Sequence, residues 1–458
     1  MSDVRDYLEL RGDITLAERP FNDVDNLVMA CLSYLDLRGI APAPGERPIT
    51  VGEACRALLA KAEGDLAPYV MSLASIDCRF VEALGVSERF GGLALRDYVD
   101  VFDGERVLQF AALTADLPDG TSVVSFRGTD SSLLGWREDF MLSFTVMESQ
   151  RSSLAYLTRE LERASAERRQ VYVCGHSKGG VLATYASVSV AEALRDCIAH
   201  VWSDDGPCMD AAVVPTRPQE VFGERLTHAI PAYDVVGLLF DDGRPRTIVC
   251  SDADGAMQHD PMSWQVGPTG FVRADEIDPD AARLDEAIRT WVSEIPMDER
   301  QRFCDELFDV LEAGGANTLE ELMGSVGGVQ KVFSALANAD QRTRDLVGKL
   351  LGNVVGSQVD AARERVSDVA AEAAVAMTDA ATQAANAAAE AASKGLAALL
   401  DRAQARLGDA GEGAWGGDDE GDGFGNKGGS VGMVLSSNSP CTVSIMASSS
   451  VDRVRFHA

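Results

Sequence analysis

Apolar residues in the first 100 positions recur mainly at helical spacing. This spacing is clear in 26–37, and a capping-box pattern of Thr50 and Glu53 opens the run ACRALLAKA. From about residue 101 short apolar runs alternate with longer helical segments near 152–168 and 179–196. The runs are LQFAAL, TSVVSF, QVYVC, HVWS, LTHAI and RTIVCS. Strands that alternate with helices predict an α/β fold whose mainly parallel sheet is covered on both faces.

Beyond about residue 271 the strand patterns give way to helix starts. Asp278-Pro279 and Pro296 each precede an amphipathic run, and residues 361–407 contain 20 alanines. A Gly-rich, acidic stretch then predicts a flexible linker. The predicted units are a helical N-terminal part (1–100), an α/β core (101–270), a helical extension (271–350), an Ala-rich helix (351–407), the linker (408–429) and a short C-terminal segment (430–458) without an assigned role.

The acidic composition narrows the classes of partner. The 458 residues include 41 Lys and Arg against 72 Asp and Glu, a formal net charge of -31. Residues 1–270 alone hold 24 basic against 41 acidic residues. Such a field repels nucleic acid and anionic lipid, so we expect no nucleic-acid partner and favour a neutral or cationic substrate.

We recognise neither a signal peptide nor a transmembrane segment in the sequence. The first residues lack a basic start, an apolar run and a cleavage site, and no apolar run reaches the roughly 20 residues of a membrane-spanning helix. The nine cysteines include no CxxC pair. We therefore expect a cytoplasmic protein with reduced thiols, no transmembrane segment and no metal.

The segment VYVCGHSKGG carries the most informative motif. A β-branched strand runs directly into a helix through Gly175, Ser177 and Gly179, which is the context of a nucleophile elbow. A side chain at either glycine would collide with neighbouring backbone, and the helix N-terminus favours developing negative charge. These flanks favour Ser177 as a nucleophile over an ordinary Gly-rich turn.

A nucleophilic serine needs a base and an acid that orients the base. Of the five histidines, His259 alone lies in a polar loop after the last predicted strand, and it is the predicted base. The acid has two sources, because Asp234 follows LTHAIP, whereas Asp204 and Asp205 follow HVWS. We favour Asp234, since the strand before the final histidine strand is the more usual source, and keep Asp205 as the alternative.

An oxyanion hole needs two N–H donors that point at the same oxygen. Lys178 supplies the first through its backbone, as the residue after the nucleophile. Thr129 is the candidate for the second, since Gly128 before it lets the backbone approach closely. Arg127 and Asp139 are interpreted as members of an ion pair or a helix cap rather than as catalytic residues.

Five segments in order resemble the Mbeg1-like family of α/β-hydrolases, a bacterial group of unknown function related to the class 3 (fungal-type) lipases. They are FRGTDSSLLGWREDF, GHSKGG, SDDGP, IPAYDVVGLLF and QHDPMSW. The opening DYLELRGDITLAERP is also similar, so the likeness spans about 1–270. The resemblance implies an α/β-hydrolase fold, with a helical N-terminal preamble and a helical C-terminal extension in this chain.

The resemblance also implies roles for individual residues. It assigns Ser177 as nucleophile and His259 as base, with Asp234 of DVVG as acid. It places Thr129 in the oxyanion hole. Many Mbeg1-like chains carry a small hydroxyl residue at the position of Asp234, which keeps Asp205 of the DGP segment open as the acid.

Residues 131–144 match the place where class 3 lipases carry a lid helix. Its large apolar residues could cover an apolar site or pack in an ordinary core, and both interpretations stay open. These residues are Leu133, Leu134, Trp136, Phe140 and Leu142.

The sequence thus predicts a serine hydrolase that cleaves a carboxylic ester, of a lipid or another acyl group, through an acyl-enzyme and without a cofactor. The alternative is a non-catalytic binding or scaffolding protein on a degenerate hydrolase fold. In that alternative the Ala-rich segment 361–407 mediates self-association.

Overall fold

The protein has a single sheet with helices on both faces. The computed structural model describes residues 2–312 except 131, 235, 239, 241, 284 and 287–295. The strands are β1 (Ile49–Thr50), β2 (Ala94–Asp103), β3 (Leu108–Asp116), β4 (Ser122–Phe126), β5 (Val171–His176), β6 (Ile198–Asp204), β7 (Leu226–Pro231) and β8 (Thr247–Val249). The helices are α1 (Val4–Arg11), α2 (Asp23–Ser33), α3 (Val51–Ala62), α4 (Cys78–Val86), α5 (Leu133–Leu142), α6 (Glu148–Glu167), α7 (Lys178–Ser189), α8 (Glu192–Arg195), α9 (Pro218–Phe222) and α10 (Met297–Glu312). The predictions for 351–407, 408–429 and 430–458 fall outside the described residues, as does the helical extension beyond residue 312.

The eight strands lie side by side in chain order. Strands β1 to β4 pair antiparallel, and β4 to β8 pair parallel. Each parallel step from β4 to β7 needs a crossover connection, and α6, α7 and α9 lie within these connections. The α/β fold with a mainly parallel sheet is therefore confirmed.

Alternate residues of the central strands point into two separate cores. Val124 of β4 and Val173 of β5 lie in a core with α6 and α7 on one face. Val123 and Cys174 lie in a second core on the other face, together with residues of α1 to α4. The N-terminal helices thus pack on one face of the sheet, together with residues after β8 such as Trp264.

The predicted boundary at residue 100 is wrong, because it cuts β2. The strand begins at Ala94 and carries charged residues that the apolar pattern does not reveal. Arg96 is 7% exposed and pairs with Asp97 at 2.5 Å and with Asp116 at 2.9 Å. Asp97 has a positive φ of 54° where the β2–β3 register shifts, which places this bulge beside the buried charges.

Several local predictions are confirmed at the helix ends. Thr50 and Glu53 form the predicted capping box of α3. Helical turns follow Asp278, whose side chain accepts from the Asp280 amide at 2.8 Å, and α10 begins directly after Pro296. These starts are set by neighbouring residues, so the sequence alone locates them.

The described residues contain no helix that is both long and apolar enough to cross a membrane. The cysteines in this part of the chain are all unpaired.

Candidate active site

Ser177 occupies the tight turn between β5 and α7. Its φ of 58° and ψ of -128° are sterically unfavourable for a residue other than glycine. A Cβ atom at Gly175 would lie 2.3 Å from the backbone of Gly179, and one at Gly179 would lie 2.2 Å from the carbonyl oxygen of Phe126. The two glycines therefore permit the strained turn that the sequence predicts.

His259 connects Ser177 with Asp205. Its Nε2 lies 3.1 Å from the Ser177 Oγ, and its Nδ1 lies 2.6 Å from the Asp205 Oδ2. Ser177 follows β5, Asp205 follows β6, and His259 ends the 3-10 turn Gly255–His259 after β8. All three residues thus lie at the carboxyl ends of parallel strands, where open α/β sheets place their ligands.

The loop that carries His259 is fixed by its neighbours. The indole Nε1 of the fully buried Trp264 donates to the carbonyl oxygen of Gln258 at 2.8 Å. The side-chain oxygen of Gln258 accepts from the amide of Tyr233 at 2.9 Å. These bonds fix Gln258, the residue before His259, to the segments that follow β7 and β8.

Asp205, not Asp234, is the carboxyl group that contacts His259, and this corrects the preference drawn from the sequence. The reason lies in the turn after β6, where Asp205 has a φ of 50° and its amide donates to the carbonyl oxygen of Ala229 at 2.7 Å. Asp234 instead accepts from the amide of Val236 at 2.8 Å. The two strand ends are close neighbours, and the turn decides which side chain reaches the imidazole.

Burial shifts the pKa values of both Asp205 and His259. It raises the pKa of Asp205 to about 7, while hydrogen bonds from Asp234 and Gly237 act in the opposite direction. Burial lowers the pKa of His259, and the surrounding carboxyl groups oppose that change. A neutral His259 is the form that accepts a proton from Ser177.

His176, the residue before the turn, packs directly against His259. The two ring centroids are 4.7 Å apart, and the His176 Nδ1 lies 2.8 Å from the Tyr34 hydroxyl oxygen. Burial lowers the pKa of His176 well below its usual value, so the ring is neutral. Within the described residues, ligand atoms of His176, Asp205 and His259 lie within 4.8 Å of one another, a spacing that could hold a metal ion. However, the His176 Nδ1 already contacts the Tyr34 hydroxyl, and the Asp205 Oδ2 already contacts the His259 Nδ1.

The predicted oxyanion-hole residues lie on either side of the turn. Lys178 begins α7, and amides in the first turn of a helix have no carbonyl partner within that helix. A Cβ atom at Gly128 would lie 2.7 Å from the carbonyl oxygen of His176, so the chain before Thr129 runs against the nucleophile turn. The Thr129 hydroxyl donates to Asp139, so the prediction of an oxyanion-hole donor at Thr129 concerns its backbone amide.

The Lys178 side chain forms a buried ion pair that the sequence analysis missed. Its Nζ lies 2.5 Å from the Glu138 Oε2, and both side chains are at most 1% exposed. The same oxygen accepts from the amide of Gln109 at 3.2 Å. The available signal in the sequence was a lysine between Ser177 and Gly179, at the start of an otherwise apolar helix. Arg127 forms the predicted ion pair, with Asp100 at 2.8 Å.

This ion pair bears on the lid hypothesis for residues 131–144. Glu138 and Asp139 attach α5 to Lys178 and Thr129, and Leu142 is buried in the core. Moving α5 as a whole would unpair a buried lysine. The side chains of Leu133, Leu134, Trp136 and Phe140 lie outside what the structure describes.

Comparison with solved structures gives distant similarity to fungal lipases. Rhizomucor miehei lipase in its native propeptide complex is 18% identical, covers 51% of this chain and 78% of its own, and has a TM-score of 0.28. Lipase II from Rhizopus niveus is 14% identical, with 50% and 89% covered and a TM-score of 0.30. The triacylglycerol lipase from Penicillium expansum is 13% identical, with 41% and 81% covered and a TM-score of 0.27.

The comparison with protein-family models gives a match to the Mbeg1-like family over residues 84–309. This range contains the strand pattern from β2 to β8 and all the candidate site residues. No curated protein matches the chain. Residues 84–309 thus match the Mbeg1-like family, and the mainly parallel sheet with helices on both faces is the architecture of an α/β-hydrolase.

Proposed function

We propose that this protein is a serine hydrolase that cleaves a carboxylic ester through a covalent acyl-enzyme. The observation that carries the proposal is the hydrogen-bonded series from Ser177 through His259 to Asp205, with distances of 3.1 and 2.6 Å. A strained serine next to an imidazole that a carboxylate orients is the arrangement that activates a hydroxyl nucleophile.

The first half of the reaction transfers the acyl group to the enzyme. The Oγ of Ser177 attacks the ester carbonyl carbon, while Nε2 of His259 takes the hydroxyl proton. The Asp205 carboxylate accepts a hydrogen bond from Nδ1–H and stabilises the imidazolium that forms. The tetrahedral intermediate collapses as His259 returns the proton to the leaving alcohol, and an ester of Ser177 remains.

The second half repeats these steps with water. His259 takes a proton from water as the water oxygen attacks the acyl carbon, and the proton then returns to Ser177 as the carboxylic acid leaves. In both tetrahedral intermediates the negative oxygen is stabilised by the amides of Lys178 and Thr129. The α7 N-terminus contributes a favourable dipole at the same point.

The charge of the core restricts the substrate that we propose. Residues 1–270 carry an excess of acidic side chains, so an anionic membrane surface or a polyanionic ester is repelled. A neutral or cationic acyl ester meets no such barrier. A lipid with a neutral head group and a small ester in solution both belong to this class.

Turnover of short-chain nitrophenyl esters tests the nucleophile. Ser177→Ala is expected to lower kcat at least about ten-thousandfold, because the remaining groups only bind and polarise the ester. The matched control is Ser165→Ala, on the exposed surface of α6, which should hydrolyse the ester like the wild type. Equal turnover by Ser177→Ala and wild type would contradict the proposal.

A non-catalytic scaffold on a degenerate hydrolase fold is the alternative. Its working part, residues 361–407, lies outside the described residues. An intact nucleophile, base and acid within hydrogen-bond reach supports catalysis over this alternative.

A further inference from the structure

Two buried carboxyl groups share one backbone amide beside the candidate base. The amide of Gly237 lies 3.0 Å from the Asp205 Oδ1 and 2.9 Å from the Asp234 Oδ1. The two side chains are at most 1% exposed. Like charges this close in a buried site repel strongly, and such pairs keep one proton between them.

The hydrogen-bond partners indicate which oxygen carries that proton. The Asp234 Oδ1 accepts from the amides of Val236 at 2.8 Å and Gly237, whereas its Oδ2 is buried and receives no N–H or O–H donor within the described part of the chain. That Oδ2 and the Asp205 Oδ1 both lie within 3.1 Å of the position that a Cβ atom at Gly237 would take, so the two carboxyl groups are direct neighbours. A buried carboxyl oxygen that receives no hydrogen bond and lies beside an acceptor is the expected position of the proton.

Asp205 has the opposite environment. It receives the His259 Nδ1 at 2.6 Å and the Gly237 amide at 3.0 Å, both of which favour a carboxylate. Burial and the neighbouring Asp205 charge both raise the pKa of Asp234, and the pKa lies well above its ordinary value. The electrostatic direction therefore agrees with the geometry.

On the basis of the proposed function, we propose that Asp234 is a positioning residue that stays protonated at neutral pH and donates a hydrogen bond to the Asp205 carboxylate. This bond and the Gly237 amide hold Asp205 towards His259. They also stabilise the Asp205 charge, which burial disfavours. Asp234 acts through Asp205 and touches neither the nucleophile nor the substrate.

Space around the pair leaves little freedom for a different arrangement. A Cβ atom added at Gly237 would lie 2.6 Å from the Asp205 Oδ1 and 3.1 Å from the Asp234 Oδ2. The two carboxyl groups and the Ile230 side chain, also 2.6 Å away, therefore fill the space above this glycine. Like Asp234, the nearby carboxyl groups of Asp260 and Asp139 raise the pKa of His259.

Infrared spectroscopy of the full-length protein at neutral pH tests where the proton lies, independently of turnover. We expect the carbonyl band of neutral carboxylic acids in the wild type, to which the buried Asp204 also contributes. Asp234→Asn should lose the component that belongs to Asp234, whereas Asp205→Asn should keep this component at a shifted frequency. Loss of this component in Asp205→Asn with its persistence in Asp234→Asn would overturn the proposal. So would identical spectra of wild type and Asp234→Asn.

Ester turnover provides the second readout. Asp234→Ala is expected to lower kcat roughly ten- to a hundredfold, as for the loss of a hydrogen bond to a charged group. Asp234→Asn should restore most of that loss, because its amide also donates to Asp205. The pH profile of Asp234→Asn should lack the alkaline change that ionisation of Asp234 causes in the wild type. An Asn variant as impaired as the Ala variant would contradict the proposal, whereas an active Ser177→Ala would instead contradict the serine hydrolase itself.

Discussion

Asp205→Asn is expected to lower kcat for ester hydrolysis about ten-thousandfold while the protein stays folded. Asparagine has the shape of aspartate, but its amide nitrogen donates. A donor facing Nδ1 forces the imidazole proton onto Nε2, so His259 cannot accept the proton of Ser177. The carboxylate that stabilises the imidazolium is also lost. Steady-state kinetics with a nitrophenyl ester measure the effect.

The matched control for this variant is Asp204→Asn. Asp204 is equally buried and adjacent, but its carboxyl group accepts from the Asn26 side chain at 2.6 Å. Burial raises its pKa well above the usual value, so the neutral amide resembles the native group. We expect its kcat to remain close to that of the wild type. If Asp205→Asn kept wild-type kcat and Asp234→Asn lost it, Asp234 would be the acid and the present assignment would be wrong.

Glu138→Gln is expected to destabilise the protein by about 3–5 kcal/mol, because it leaves the Lys178 ammonium buried without a counter-charge. The pair is almost completely inaccessible to water and its atoms are 2.5 Å apart. Neither solvent nor salt can replace the carboxylate there. Urea denaturation monitored by circular dichroism measures the loss of free energy of unfolding.

The double variant Lys178→Met, Glu138→Leu separates the ion pair from the packing of α5. Apolar residues of similar volume remove both charges, so we expect most of the lost stability to return. A Glu138→Gln variant as stable as the wild type would show that Lys178 needs no partner, and α5 would then lack its buried tether. The same result would reopen the hypothesis of a mobile lid at 131–144.

The nucleophile turn could be predicted from sequence because its determinants are local. Gly175 and Gly179 are required by backbone contacts within five residues of Ser177 and by the neighbouring strand end. The strand β2 could not be predicted in the same way. Its charged residues are satisfied by partners such as Glu160, 64 positions away from Arg96, and an apolar pattern contains no trace of that pairing.

The identity of the acid depended on three-dimensional detail. Asp205 and Asp234 both follow parallel strands that end at the same edge of the sheet, so their positions in the sequence are equivalent. The left-handed backbone at Asp205 distinguishes them, because it turns that side chain towards His259. The family resemblance supplied both candidates but could not choose between them. The Glu138 tether was likewise hidden, because it joins two residues 40 positions apart.

Covalent labelling with a fluorophosphonate probe, followed by peptide mass spectrometry, tests the central claim most directly. The probe reacts with activated serine hydroxyl groups, and we expect one adduct on the peptide that contains Ser177. Ser177→Ala should show none, and Ser165→Ala should be labelled like the wild type. An unmodified Ser177 in the wild type, or equal labelling of Ser177→Ala, would contradict the assignment of Ser177 as the nucleophile.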